Sequence, residues 1–452
     1  MKVVIVGDGK VGNNLASLLV QEGHDVTIID CKSEALKKTL NTQDVMCIEG
    51  NGATAEVQIE AGVKKAGLLI ATTAHDELNM LCCLISKKLG AEKAISRVRN
   101  PEYHKQIDLI REEMGLSMVI NPELATADEI ARMLILPTAT KVEIFEKGRI
   151  VLVEHRIKAD SPLVGLSLAE IYKRLKLKFL ICAVQRESGI YIPSGDFIIR
   201  EGDRINITAS QNGIENFFKI SSQLKNRIKT VMIVGGGRIG YYLSLQLINM
   251  GMKVKIIEKS YDRCTELCNI LPKATIIHGD GTDQDLLKEE GISDVDAFIA
   301  LSGMDEENII MSLFAKNNSD AKVVTKINRP SFIDMANELG IDSVVSPKDL
   351  TTNSILSYVR SLSNAADSSI ESLYKLVGNR VEAIEFLVKE SIPGLTGIPL
   401  RDIKLKKNIL ICAIVRKRQV IIPNGNDSIE LGDSVVLATM EHRFSGLKDI
   451  LD

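Results

Sequence analysis

Two six-residue stretches have the spacing GxGxxG. Gly7-Asp8-Gly9-Lys10-Val11-Gly12 and Gly235-Gly236-Gly237-Arg238-Ile239-Gly240 lie 228 positions apart. An acid follows each at the same distance, Asp30 after the first and Glu258 after the second. These residue types can bind a nucleotide. Gly7 and Gly235 permit the tight turn that leaves a strand. Gly9 and Gly237 carry no side chain, so a pyrophosphate can approach the backbone. Gly12 and Gly240 let the following helix pack closely on the sheet. That helix presents unpaired N–H groups and a positive dipole end to the phosphate. A carboxylate at Asp30 or Glu258 accepts hydrogen bonds from ribose hydroxyls and repels a 2′-phosphate. This favours NAD(H) or an adenine nucleotide over NADP. The competing reading, glycines kept only for helix–strand packing, weakens when the pattern recurs in register.

The elements that must position these residues are also legible. Val3-Val4-Ile5-Val6 and Val231-Met232-Ile233-Val234 are short apolar runs of the kind that form buried strands. Val26-Thr27-Ile28-Ile29 is a second strand with Asp30 at its carboxyl end. The duplication continues well beyond the turns. Ile48-Glu49-Gly50-Asn51-Gly52 matches Ile277-His278-Gly279-Asp280-Gly281, and Leu69-Ile70-Ala71-Thr72-Thr73 matches Phe298-Ile299-Ala300-Leu301-Ser302. Asp76-Glu77-Leu78-Asn79 matches Asp305-Glu306-Glu307-Asn308, and Ser96-Arg97-Val98 matches Thr325-Lys326-Ile327. Each half reads strand–helix repeatedly, which predicts an α/β fold of two Rossmann-like, doubly wound parallel-sheet domains.

Ligands bind beyond the carboxyl ends of such strands, and the matched residues fall there. Asn51 and Gly52, with Asp280 and Gly281, are placed to border an adenine. Thr73 and Ser302 are placed to offer a hydroxyl or N–H. Asp76 and Asp305 open the next helix, as N-caps or as ligand contacts. Arg97 and Lys326 end the fifth strand and can meet a phosphate, with structural ion pairing as the competing reading.

A second, smaller repeat alternates with the first. Ile192-Pro193-Ser194-Gly195 resembles Ile422-Pro423-Asn424-Gly425, and Gly202-Asp203 resembles Gly432-Asp433. Short strands with Gly and Pro turns predict a small α+β domain after each nucleotide domain. The expected boundaries are 1–136, 137–222, 223–364 and 365–452, with Ser361–Ser372 as a linker. Apolar helical segments at Glu123–Leu136 and Asp349–Leu362 are expected as core or as a dimerisation surface.

Composition narrows the function. The 452 residues are 45% hydrophobic and 25% charged with a net charge of −3, which gives no electrostatic case for nucleic acid. No apolar stretch has the length of a membrane span and no signal peptide is evident, so a cytoplasmic protein is expected. The eight cysteines show no metal spacing. Cys182 and Cys412 occupy equivalent strands and read as buried reduced thiols. His75 and His278 read as rim or packing residues. No metal site and no catalytic constellation is expected.

The whole chain resembles the TrkA family of bacterial and archaeal Trk potassium uptake systems. The resemblance rests on Met1–Gly12, Gly50–Gly52, Ala71–Asn79, Ala94–Tyr103, the turn at 235–240 and the two IPxG…GD segments. It implies two KTN/RCK nucleotide-binding domains alternating with two TrkA-C domains. It also implies a regulatory subunit, peripheral on the inner face of the membrane, beneath a TrkH/TrkG-type potassium-translocating partner. Within that family NAD(H) and ATP or ADP are bound, and the subunits assemble as a ring. Duplicated domains that pair and continue around a closed rotation lead to a homotetramer. The alternatives are a soluble NAD-dependent oxidoreductase and a ligand-sensing module of another cation transporter. The first would need an acid or base poised at the nicotinamide; the companion domains offer none.

Overall fold

A computed structural model describes residues 1–136, 139–145, 149–175, 178–187, 189–220, 228–341, 343–363, 370–376, 381–440 and 446–452. The first sheet is parallel, with strands β1 (Lys2–Val6), β2 (Asp25–Asp30), β3 (Met46–Glu49), β4 (Leu68–Ala71), β5 (Lys93–Arg97) and β6 (Met118–Ile120), in the order β3-β2-β1-β4-β5-β6. A five-stranded antiparallel sheet follows. It holds β7 (Lys141–Phe145), β8 (Ile150–Arg156), β9 (Phe179–Arg186), β10 (Gly189–Tyr191) and β11 (Arg204–Ser210), ordered β10-β9-β11-β8-β7.

The second half repeats both. β12 (Thr230–Val234), β13 (Lys253–Glu258), β14 (Thr275–His278), β15 (Ala297–Ala300), β16 (Lys322–Lys326) and β17 (Val344–Val345) form a parallel sheet in the order β14-β13-β12-β15-β16-β17. β18 (Ile370–Leu376), β19 (Val381–Leu387), β20 (Ile409–Arg416), β21 (Gln419–Ile421) and β22 (Ser434–Thr439) form the other antiparallel sheet. The expected fold class is observed: two Rossmann-like sheets, each followed by a small α+β domain.

Buried parallel strands need apolar residues on both faces. Val3, Val4 and Ile5 are fully buried, as are Met232 and Ile233 at the matching positions. In each parallel sheet the order reverses beside the first strand, which opens a crevice at its carboxyl end.

The helix after each sixth strand leaves its own half. Pro122–Ile135 starts with Asn121 accepting the Leu124 N–H at 3.0 Å and with Pro122 in the first turn. Its apolar face, Ala127, Ile130, Ala131, Met133 and Leu134, packs into the core of the second half with Tyr242, Leu243 and Leu247. Conversely, Ile355, Leu356 and Val359 of Pro347–Ser363 join Leu15, Leu19 and Ile28 in the first half. Polar contacts sharpen the exchange: Asn121 Nδ2 donates to Tyr242 Oη at 3.0 Å, and Asn14 Nδ2 to Thr352 Oγ1 at 3.2 Å. The dimerisation surface read from sequence thus joins two halves of one chain.

The small domains also pair. Ile150, Leu152, Cys182 and Ala183 share a core with Val381, Ala383, Cys412 and Ala413. The linker expected at Ser361–Ser372 is corrected at both ends. The helix runs to Ser363 and β18 begins at Ile370, because helical and strand periodicity outweigh the serine content. Residues 364–369 lie outside the described residues.

Candidate functional site

The two glycine turns sit in the two crevices. Gly7 and Gly235 have φ of 104° and 105°, a region that favours glycine. A Cβ on Gly12 would stand 1.9 Å from the Gly7 carbonyl oxygen, and one on Gly240 2.3 Å from that of Gly235. These glycines are required by the fold. Gly9 and Gly237 differ: a Cβ on either meets no protein atom within 4 Å. Each has φ in the ordinary region and caps the helix behind it, Lys10–Gln21 or Arg238–Asn249. At both turns this open space lies in front of a helix N-terminus, where unpaired N–H groups and the positive dipole end favour an anion.

The acids at the ends of β2 and β13 are tied to these turns. Asp30 accepts the Asp8 N–H at 2.7 Å and the Lys32 N–H at 2.8 Å. Glu258 accepts the Gly236 N–H at 2.7 Å and the Ser260 N–H at 2.8 Å. Each carboxylate oxygen keeps a further acceptor position for a ribose hydroxyl. The carboxylates therefore hold the turn. The side chain of Asp8 is spent inward, accepting from Thr39 Oγ1 at 2.6 Å and Asn13 Nδ2 at 3.1 Å.

Around the second turn lies a cleft of about 320 Å³ lined by Gly235, Gly237, Glu258, Asp280, Gly281 and Ser302, among others. Asp280 is held to about pKa 2 by the ammonium of Lys259, 2.6 Å away, and by Thr282. At the first site Asn51 Oδ1 accepts the Ala53 N–H and shapes its loop. A Cβ on Gly52 or Gly281 would strike Val6 or Val234 at 2.3 or 2.2 Å, so both glycines let their loops lie on the first strand.

Several residues read from sequence as ligand contacts are engaged internally. The Thr73 N–H and hydroxyl both donate to Asn79 Oδ1, at 2.8 and 2.7 Å. The Ser302 N–H donates to Asn308 Oδ1 at 2.8 Å, and its hydroxyl to Glu307 at 3.1 Å. Asn79 and Asn308 are fully buried and also donate to the carbonyls of Arg97 and Lys326. They fasten the end of the fourth strand to the fifth. The signal was their repetition within the matched Asp-Glu-x-Asn segments.

Asp76 is not an N-cap: His75 holds that position. Asp76 accepts the N–H groups of Arg99 and Asn100 at 2.8 and 2.7 Å, and Asp305 accepts those of Asn328 and Arg329. Arg97 donates to the Thr73 carbonyl and Lys326 Nζ to the Leu301 carbonyl at 3.3 Å. Burial lowers the pKa of Arg97 to about 10, with Arg99 adding to the effect, and it stays a cation at neutral pH. Val11 and Ile239 are helix residues behind the turns; Ile239 packs in the core.

The Gly-Asp motif of the small domains is structural. Asp203 accepts from Arg186 Nε and Nη2, both at 2.8 Å, and Asp433 repeats this with Arg416. Among the described residues no cluster of potential metal ligands occurs, and no helix is long and apolar enough to cross a membrane.

Comparison with known proteins bears on the same segments. The TrkA-N domain matches residues 3–122 and 231–347, and the TrkA-C domain residues 152–222 and 383–452. The chain is 34% identical over 449 residues to the Trk system potassium uptake protein TrkA homolog 1 of Methanosarcina mazei, covering 97% of both chains. It is 32% identical over 448 residues to the Trk system potassium uptake protein TrkA of Halomonas elongata, covering 98% of this chain and 96% of that one. In fold it is similar to the GsuK channel bound to NAD, at a TM-score of 0.64 and 17% identity over 97% of this chain and 76% of that one. The GsuK RCK domain superposes at 0.62 and 17% identity, over 97% and 92%.

Proposed function

The chain belongs to the TrkA family, and from that premise we propose that it is the nucleotide-binding regulatory subunit of a Trk-type potassium uptake system. It binds NAD(H), ATP or ADP at both glycine turns and gates flux through a TrkH/TrkG-type membrane subunit from the cytoplasmic side. It is not an enzyme in this reading. Its four units, 1–136, 137–222, 223–364 and 365–452, act as two sensors and two companion domains.

The observation that carries the reading is the repeated turn itself: Gly7 and Gly235 at φ near 105°, an open Cβ position at Gly9 and Gly237, and a helix N-terminus directly behind each. Asp30, Asn51 and Gly52 would flank the adenosine of the first site, and Glu258, Asp280 and Gly281 that of the second. Bound nucleotide would supply its phosphate charge at the junction of the halves. There Tyr242, one turn along the second phosphate-facing helix, meets Asn121. A ligand that binds two arrangements of this junction unequally shifts their balance; equal affinity shifts nothing.

Ring assembly is part of the proposal. The crossover helices are used within the chain, so the ring closes through other faces. Leu81 and Leu109 in the first half, with Ile310 and Met335 in the second, are exposed on helices that flank the sheets. They suit repeated contacts between copies in a tetramer. The decisive experiment reconstitutes the membrane subunit with this protein in liposomes. Potassium flux should depend on NADH, ADP or ATP. Identical flux with each of them and with none would reject gating, and a single-chain mass by light scattering would reject the ring.

A further inference from the structure

The helix behind each glycine turn has a far end, and the two far ends differ. At the first site the helix Lys10–Gln21 starts behind Gly9 and closes on its C-cap residue, Glu22. Its 12 residues, at about 1.5 Å of rise each, set the ends about 18 Å apart. Arg360, in the last turns of Pro347–Ser363, donates from Nε to Glu22 Oε1 at 3.0 Å and from Nη2 to the same oxygen. Its Nη1 donates to both oxygens of Glu382, each at 3.0 Å. The Glu382 side chain is 1% exposed and belongs to β19, an inner strand of the second small domain paired with β18 and β22. One guanidinium therefore grips the far end of the first turn's helix and an inner strand of the second small domain.

The duplicate carries none of the three charges. Met250, the C-cap of Arg238–Asn249, stands for Glu22. Ile135 stands for Arg360, since Pro122 aligns with Pro347 and Ile130 with Ile355. Val151 of β8 stands for Glu382: Val151 pairs with Ala209 as Glu382 pairs with Thr439. Three apolar side chains cannot form an ion-pair clamp, and Met250 and Ile135 are 40% and 50% exposed. The first small domain is fastened to the second half at another place. Arg204 of β11 donates from Nη2 to Asn337 Oδ1 at 3.0 Å, on the helix Pro330–Glu338, which lies behind no glycine turn.

We propose that Arg360 is a positioning residue that couples occupancy of the first glycine turn, and not of the second, to the second small domain. This rests on the reading that both turns bind nucleotide. The helix Lys10–Gln21 is hydrogen-bonded along its axis, and Leu15 and Leu19 pack it against Ile355, Leu356 and Val359 of the helix that bears Arg360. A shift at one end is carried to the other. The clamp resists a partial response, because parting Arg360 from Glu382 strands a buried carboxylate without its counter-ion. A ligand at the turn favours the arrangement in which the far end is clamped, and by linkage the clamped domain favours the ligand by the same factor. The duplicated sites thus report to the rest of the chain unequally.

The test is hydrogen–deuterium exchange, read by mass spectrometry on the full chain with one site closed. Gly237→Ala reads the first site and Gly9→Ala the second, each with and without saturating NADH or ADP. First-site ligand should slow exchange in Lys10–Gln21 and, about fivefold or more, in Val381–Leu387. Second-site ligand should slow exchange in Arg238–Asn249 and leave Val381–Leu387 unchanged. With Arg360→Met added, first-site ligand should still protect Lys10–Gln21 but no longer Val381–Leu387. Glu22→Gln leaves the Arg360–Glu382 pair in place and should weaken the same response, which keeps the test intact if Arg360→Met misfolds. A merely structural clamp would change exchange in Val381–Leu387 equally with and without ligand. Ligand protection there that survives both substitutions, or that second-site ligand produces equally, overturns the proposal. A parent protein that binds no nucleotide at all would instead overturn the nucleotide reading beneath it.

Discussion

Substitution of Gly9 by alanine separates ligand approach from folding. Gly9 has φ −79° and ψ −175°, which alanine adopts without strain, and its added Cβ meets nothing within 4 Å. Alanine is a poorer helix N-cap than glycine, costing about 0.5–1 kcal/mol. The loss of freedom in the unfolded chain offsets about 0.4–1 kcal/mol. Stability should therefore change by less than about 0.5 kcal/mol. Gly12→Ala is the contrast: its Cβ would be driven to 1.9 Å from the Gly7 carbonyl oxygen, a backbone clash costing about 3 kcal/mol or more. For the ligand the order reverses. A Cβ on Gly9 pushes a pyrophosphate away from the turn and removes about two charge-assisted hydrogen bonds. At about 1.5–3 kcal/mol each, first-site affinity should fall at least about a hundredfold. Differential scanning fluorimetry reads stability and calorimetry reads stoichiometry. Gly9→Ala should melt with the parent and bind one nucleotide per chain instead of two, and Gly237→Ala should do the same at the other site. Two ligands per chain at parental affinity, or destabilisation equal to that of Gly12→Ala, would refute the reasoning.

Other consequences are equally direct. Asp30→Ala removes the acceptor of two turn N–H groups as well as the ribose contact. It should weaken first-site binding by about 1.5–3 kcal/mol and also lower the melting temperature; a binding loss with no thermal effect would contradict its structural part. Native alkylation should label exposed Cys31 and Cys268 first and leave buried Cys83, Cys182 and Cys412 unreacted. Burial pushes the Cys83 thiol far up and Cys82 to about 12. Nucleotide should protect Cys31, which follows Asp30, and not Cys268, as peptide mass mapping will show. Arg360 ties the last turn of its crossover helix to Glu22 of the first half and to Glu382 of β19, each at 3.0 Å. Burial lowers its pKa, but the two carboxylates outweigh that and raise it. Arg360→Met should cost about 3 kcal/mol in urea unfolding; a change below 1 kcal/mol would show the triad to be energetically idle.

Much of the design was open to reading from one chain. The glycine spacing, the acid after the second strand and the alternating elements are local patterns. Duplication supplied an internal comparison that separated meaningful residues from chance ones. Gly7 and Gly12 each had a distinct steric reason, and the structure bears those out in φ and in Cβ clearance. The engagement of Thr73 by Asn79 and of Asp76 by the Arg99-Asn100 backbone was not legible. A polar side chain near a cleft looks the same in sequence whether it faces a ligand or a carbonyl. The Gly-Asp motif of the small domains likewise served recognition, while its chemistry is a buried Arg–Asp clamp.

Sequence periodicity by itself determined the sheets, the turns and the repeated order of domains, because strand and helix patterns and glycine sterics act over a few residues. Only the tertiary structure decided that each crossover helix packs on the opposite half. That pairing joins Ile130 to Leu243 and Ile355 to Leu15. It depends on which apolar face meets which across more than a hundred residues of chain, and an apolar stripe does not specify its partner. The same pairing brings Lys348 to the cleft lined by Asp8, Gly9 and Lys10.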